Sequence, residues 1–413
     1  MKRLMGLCAG LVVMLSVAPS SAPASFGGNE VFAGYGWSET NPDTEWTERA
    51  GLQAVELRNR LYVMGGRTPL DPQVVPVPGA STIWSDVWRS DNNGVSWKKT
   101  AEGQWPARAY FQAVTLRDRM FVIGGQDFNV IPNPGCAAPP GCPPQPAQIP
   151  VSQFFNDVWS SRDGASWKRE TPAGPGPGRW DGRAGLSAVA FKGRLYVFGG
   201  SRNDDSAIVG PGGPARIYYN DVWSSPDGRS WTRETEHAPW APRAGAAAVV
   251  KDGYIYLLGG EDGFICTPQT PRCPPYYNDV WRTRNGRDWE QVTAAAAWSP
   301  RPGHQCVVVM NRIVCFGGFG LPEDPFGPSA NPIDMWSSRD GERWTQLPDA
   351  PWGATSPDEV KYDFDALAVR AGGLRPSILT LGGDRETFNF ADQTNWLRVD
   401  GDVWRYGPRW PWK

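Results

Sequence analysis

Two short apolar runs, a polar pair between them and two glycines after the second form a pattern that returns along the whole chain. It starts at Arg49 as RAGLQAVELRNRLYVMGG and recurs as RAYFQAVTLRDRMFVIGG from Arg108 and RAGLSAVAFKGRLYVFGG from Arg183. Further copies are RAGAAAVVKDGYIYLLGG from Arg243 and RPGHQCVVVMNRIVCFGG from Arg301, with a divergent DFDALAVRAGGLRPSILTLGG from Asp363. Apolar runs of this length, rich in β-branched and aromatic residues, predict strands. Asn59, Asp118, Gly193, Asp252–Gly253 and Asn311 sit between the runs, where a tight hairpin turn needs residues that accept positive φ. The diglycine ends the second strand at a place where side chains would collide.

A second pattern alternates with the first. NDVWSSRDGASW from Asn156 is followed by NDVWSSPDGRSW from Asn220, NDVWRTRNGRDW from Asn278 and IDMWSSRDGERW from Ile333. Each holds two tryptophans on either side of an Asp-Gly or Asn-Gly turn, with polar neighbours between. Each unit therefore supplies a strand a, a strand b ending in the diglycine, a variable segment, a strand c at the first Trp and a strand d at the second. Four antiparallel strands in a unit of about sixty residues describe a propeller blade. Helical repeats are excluded by the period-2 patterning and the glycine content.

Diglycines at Gly65, Gly124, Gly199, Gly259, Gly317 and Gly382 give six blades. The acids before the strand-c Trp, at Asp86, Asp157, Asp221, Asp279, Asp334 and Asp402, give the same number. The expected blades span about 47–97, 106–167, 181–231, 241–289, 299–344 and 361–413, within one domain over 25–413. A closing strand at 44–48, carrying Trp46, would complete the last blade, and GPRWPWK with Trp412 competes for that place. A seven-bladed ring would need one more diglycine hairpin.

A hairpin ending in diglycine with a later lone Trp resembles the kelch repeat over nearly all of the mature chain. The turn in SDNNGVSW from Ser90 is also similar to the Asp-box of sialidase-type propellers. The resemblance implies an all-β, six-bladed kelch-type propeller.

Composition adds an expected compartment. Lys2 and Arg3 precede an apolar run from Leu4 to Val17, and SAPAS offers cleavage after Ala24, so 1–24 reads as a signal peptide. Leu7 argues against a lipoprotein at Cys8. Six cysteines remain, an even number suited to an oxidising compartment. Cys136 and Cys142 bracket one short loop, and Cys266 and Cys273 another. Cys306 and Cys315 face each other across a hairpin, as a disulfide or as buried thiols. The expectation is a secreted or periplasmic monomer with no spanning segment once the signal is removed. A net charge of -2 gives no nucleic-acid footprint. Only two histidines and no C-x-x-C spacing argue against a metal, and no cofactor is implied.

Strand direction places the segments between b and c (67–83, 126–155, 201–219, 261–277, 319–332 and 384–400) on one face, together with the d–a links. Long segments on a rigid ring are where binding surfaces usually lie. Arg49, Arg108, Arg183, Arg243 and Arg301 open five of the strands a and should ring the channel mouth on that face. Kelch domains that bind acidic peptides use Arg there, so the resemblance implies an anion-binding rim; the alternative is a contact with the acid opening strand c. Blade six carries Asp363 where the others have Arg and keeps Asp402. That suggests uncompensated negative charge and a ligand biased toward blades six and one. His304 sits where kelch repeats often carry His, and His237 lies on a surface link.

No serine elbow, phosphate loop or H-E-x-x-H motif is present. The copper constellation of galactose-oxidase-like kelch enzymes and the Arg-Ile-Pro segment of sialidases are missing. Exported kelch epimerases acting on sialic acid remain similar in size, signal and blade number. The expected function is a non-catalytic module that binds a protein or glycan on the long-segment face. The alternative is a carbohydrate-active enzyme at the channel mouth.

Overall fold

In blades one, three, four and five the apolar runs fold back through a two-residue turn whose backbone is left-handed. Arg58 and Asn59 lie at φ 55° and 60°, Met310 and Asn311 at 51° and 58°. This geometry matches the natural twist of a hairpin. The computed structural model describes residues 30–71, 73–75, 80–132, 148–203, 216–263, 275–320, 332–353, 361–370, 375–386 and 397–409. The signal segment 1–24, Cys8, the pairs Cys136/Cys142 and Cys266/Cys273, and Trp412 lie outside them.

Among the described residues, six four-stranded antiparallel sheets form, each with strands in the order a-b-c-d. Blade one comprises Gln53–Leu57, Arg60–Met64, Val87–Ser90 and Lys98–Ala101. Blades two to five repeat this order from Gln112, Ser187, Ala247 and Gln305. Neighbouring strands a touch in sequence around the molecule, and that of blade six touches that of blade one. The chain is thus a closed six-bladed propeller.

Blade six combines Asp365–Val369, Ser377–Asp384 and Val399–Pro408 with Tyr35–Asn41 from the other end of the chain. An N-terminal strand does close the ring, but it is 35–41 and not 44–48. Trp37 lies opposite Tyr406, four residues after Asp402, as Trp344 lies opposite Ser338, four after Asp334. Trp37 is therefore the strand-d tryptophan. Trp46 belongs to a third series, on the d–a links, with Trp105, Trp180, Trp240, Trp298 and Trp352.

Each link Trp meets a strand-d Trp edge to face at a blade seam. The pairs are Trp46–Trp97, Trp105–Trp167, Trp180–Trp231, Trp240–Trp289, Trp298–Trp344 and Trp352–Trp37, with centroids 5.0–6.4 Å apart. Such pairs contribute about 0.5–1.5 kcal/mol each beyond the area they bury. The strand-c Trp does a different job: its indole N–H donates to the acid two residues earlier, as from Trp159 to Asp157 at 2.8 Å. The c–d turn is pinned by its own side chains. Asp163 Oδ1 accepts the amides of Ala165 and Ser166, and Ser161 Oγ accepts that of Gly164.

The diglycines are joints between blades. The second glycine donates its N–H to the carbonyl of the residue opening the next strand a, from Gly66 to Arg108 (2.9 Å) and round to Gly383 and Arg49 (3.0 Å). A Cβ on the first would lie 2.9 Å from that carbonyl at Gly65 and 2.8 Å at Gly382. No side chain fits there.

Candidate functional site

The five arginines that open strands a are buried, at 0–2% exposure. Each guanidinium forks onto the acid opening strand c of its own blade: Arg49–Asp86, Arg108–Asp157, Arg183–Asp221, Arg243–Asp279 and Arg301–Asp334. The two contacts run 2.5–2.7 Å and 3.0–3.2 Å. Nη1 also donates to the first diglycine carbonyl, and Nε to the carbonyl two residues back, as in Arg108 to Gly124 and Pro106. Four guanidinia lie over aromatic rings, closest for Arg183 on Tyr219 at 3.6 Å. The sequence offers two readings here, an anion-binding rim or a contact with the acid opening strand c; the structure makes that contact and encloses these charges inside the blades.

Blade six departs from this, and not in the expected way. Lys361 takes the arginine place, fully buried, and its ammonium reaches Asp402 at 2.6 Å and Asp400 at 2.8 Å. Arg385 also holds Asp400, at 2.6 Å. Burial would raise the Asp400 carboxyl, but Lys361 and Arg385 outweigh it and hold it below its usual range. Asp402 is thus compensated. Asp363 occupies the place of Gly51, two residues after the opening cation.

That place carries the channel mouth. Gly51, Tyr110, Gly185, Gly245, Gly303 and Asp363 pass a hydrogen bond from one blade to the next, each N–H donating to the preceding carbonyl at 2.8–3.1 Å. The belt closes when Gly51 donates to Asp363. All six residues are left-handed, with φ between 47° and 63°. A non-glycine residue there carries a strain of about 1–2 kcal/mol. Only blades two and six accept it, and they flank blade one. The Tyr110 ring lies over Gly51, and the Asp363 carboxylate over Gly303.

The residue after each diglycine forms a second tier. It reads Arg67, Gln126, Ser201, Glu261, Phe319 and Asp384 around the ring, and five of the six pair with the residue after the opening cation through isolated bridges. Arg67 ties the strained Tyr110 to blade six: its guanidinium donates to Tyr110 Oη and Asp384 Oδ2, both at 2.5 Å, with Glu386 at 3.7 Å. Burial raises the Asp384 carboxyl, and Arg67 counters this only in part. Burial and then Asp384 push the Tyr362 hydroxyl well up. Sequence reasoning misses Arg67 and its partners. Their only signal there is that the position after the diglycine changes chemistry in every blade.

His304 is buried and stacks on Trp298 at 5.4 Å. Burial, helped by Arg301, lowers its pKa to about 3, so the ring is neutral. His237 Nδ1 meets Asn220 Oδ1 on an exposed link. Cys306 and Cys315 form a disulfide across strands a and b of blade five. Among the described residues no group of three or more His, Cys, Asp or Glu could hold a metal, and no helix is long and apolar enough to cross a membrane.

Comparison with known proteins agrees with this architecture. A family profile described as the KLHDC2/KLHL20/DRC7 Kelch-repeats domain matches residues 51–318. The dynein alpha chain of the flagellar outer arm of Chlamydomonas reinhardtii is 28% identical over 203 residues, 47% of this chain and 4% of that much longer protein. The solved structure titled "Structure of YjhT" superposes with a TM-score of 0.58 over 88% of this chain and 96% of the other, at 16% identity. That last likeness is one of fold.

Proposed function

The chain belongs to the kelch-repeat family of β-propellers, and on that premise we propose that it is a non-catalytic binding module whose ligand, a protein or a glycan, sits at the channel mouth. Kelch propellers in general serve as binding or enzymatic scaffolds. The observation that carries this reading is the pair of strained belt residues, Tyr110 and Asp363, flanking blade one with Arg67 stretched between Tyr110 and Asp384. Strain of this kind persists where a side chain is needed at that spot. The module works outside the cytoplasm, in the periplasm or secreted, and the Cys306–Cys315 disulfide supports an oxidising setting.

The test is a glycan and peptide panel scored for both retention and turnover, with Asp363→Gly, Tyr110→Gly and Arg67→Ala beside the parent chain. Retention that falls at least tenfold in all three variants, without conversion of any ligand, is the expected result. Unchanged retention in the three variants would remove the mouth from consideration. A second reading, a sugar-modifying enzyme, is favoured by one feature: burial shifts the Asp384 carboxyl and the neighbouring Tyr362 hydroxyl upward, and a cluster of shifted groups marks a candidate acid–base site. Conversion of any sugar would establish it.

A further inference from the structure

The opposite face of the propeller holds a charge without its usual partner. In blades two and three the arginine opening strand b is answered by a serine on strand c and a glutamate on strand d. Arg119 Nη1 donates to Ser160 Oγ at 3.2 Å and Glu170 Oε1 at 3.3 Å, and Ser160 Oγ donates to Glu170 at 3.0 Å. Arg194 likewise donates to Ser224 Oγ at 2.8 Å, and Ser224 to Glu234 at 2.5 Å. Both glutamates sit in a one-residue bulge of strand d, where the register slips beside Trp159 and Trp223.

Blade five has lost that residue. WKRET in blade two and WTRET in blade three become WTQL from Trp344. The pairing of its strands c and d runs without a slip, Trp336 opposite Gln346 and Met335 opposite Leu347. The arginine and the serine remain. Arg312 is 4% exposed and Ser337 0%. Ser337 lies opposite Val314, and Arg312 stands two residues from Val314 on the same face of the sheet. Val314 and Met335 pack against Ile378 and Tyr406, so this face looks into the seam between blades five and six.

Among the described residues Arg312 Nε and Ser337 Oγ have no hydrogen-bond partner, and Arg312 has no carboxylate within ion-pair distance. Burial and then Arg339 push its pKa down, and Asp340 counters them only in part. Asp340 is committed to its own turn, accepting the amides of Glu342 and Arg343 and the Arg343 guanidinium. Burial works against these bonds, yet they hold its pKa at about 2. A buried guanidinium with no counter-charge is strongly unfavourable. In the seams of blades two and three the chain supplies the anion itself.

We propose that Arg312 and Ser337 form a site for a small monovalent anion, chloride or a short carboxylate, in the seam between blades five and six. One guanidinium and one hydroxyl match one singly charged acceptor, the chemistry that Glu170 and Glu234 provide in cis.

The test is denaturant unfolding of the full chain while sodium chloride or sodium acetate replaces a bulky sulfonate salt at constant ionic strength. Raising either probe from zero to about 100 mM should lower the unfolding equilibrium constant about tenfold, the fall following 1 + [anion]/Kd. The probe with the lower fitted Kd identifies the occupant. Arg312→Met should abolish the response. A chain with glutamate inserted between Gln346 and Leu347 should fold stably without either anion and respond to neither. A flat response in the parent chain overturns the site, as does an undiminished response in Arg312→Met. Should Arg312→Met fail to fold, an undiminished response in the insertion variant overturns it equally.

Discussion

Blade three neutralises its opening cation with a single acid, whereas blade six needs two acids and a second cation. Arg183 is a planar fork whose donors are met by the Asp221 carboxylate and the carbonyls of Gly199 and Asp181. Lys361 is a compact charge that shares its protons between Asp400 and Asp402, and Asp400 then draws in Arg385. Arginine and lysine are therefore not equivalent at this place: the fork is satisfied locally, while the ammonium recruits a wider network. The regular blades become inert scaffold. Blade six becomes the charged and strained one, and the candidate ligand sector lies there and across blade one.

The comparison breaks first at the cations. Arg183→Met should destabilise the chain by about 3–4 kcal/mol by leaving Asp221 largely buried and unpaired. Lys361→Met should cost more, about 5 kcal/mol, because Asp402 is left without a cation and Asp400 keeps only Arg385. Denaturant unfolding of both variants decides it, and a milder effect at Lys361 would make blade six no different in kind.

A smaller effect concerns the seam where the ring closes. Asp365 Oδ2 accepts the Ala54 amide across the boundary of blades six and one at 2.5 Å, and burial raises its carboxyl to about 7. The folded chain therefore holds this proton up to about pH 7, while the unfolded chain releases it near the ordinary carboxylate range. Stability from this group is complete at low pH, falls as pH rises toward about 7 and is flat above. Every tenfold difference in proton affinity between the folded and unfolded chains corresponds to about 1.4 kcal/mol. Asparagine keeps only one of the two oxygens that accept the Ala54 and Ala366 amides, so Asp365→Asn should gain only about 2 kcal/mol over the parent at pH 8. That gain should vanish near pH 4. An unfolding series from pH 4 to 8 that stays parallel for the two chains would refute it.

The smallest effect sharpens the belt. Gly245 stands at φ 61° with an added Cβ 3.1 Å from the Pro302 side chain. Gly245→Ala should therefore cost about 1–2 kcal/mol. Asp363→Gly should be neutral or stabilise by up to about 1 kcal/mol. Opposite signs in the two melting curves would show that blade six carries strain that the blades with glycine at this place avoid.

The diglycine, the Asp-Gly turn and the strand-c acid are legible in the sequence because each is a residue type demanded by a local conformation. Trp46 resembles a strand-d residue until its spacing three residues before Arg49 is set beside Trp105, Trp180, Trp240 and Trp298, which precede their arginines by the same interval. Asp363 aligns with the arginines only because the copy is divergent, and Lys361, the true equivalent, stands two residues upstream. The belt leaves no trace beyond a recurring glycine, since it joins backbone atoms of residues about sixty positions apart. The Arg67 network is hidden for a related reason: Arg67, Tyr110 and Asp384 lie in three different blades.

Period-2 apolar runs, turn residues and the number of repeats determine the blade and the ring, because those are short-range demands of backbone and side-chain shape. Which cations are enclosed, which carboxylates share a proton environment and which guanidinium lacks an acid were decided only when the ring closed. Burial and partner distance set those properties, and both come into being between residues that the chain keeps far apart.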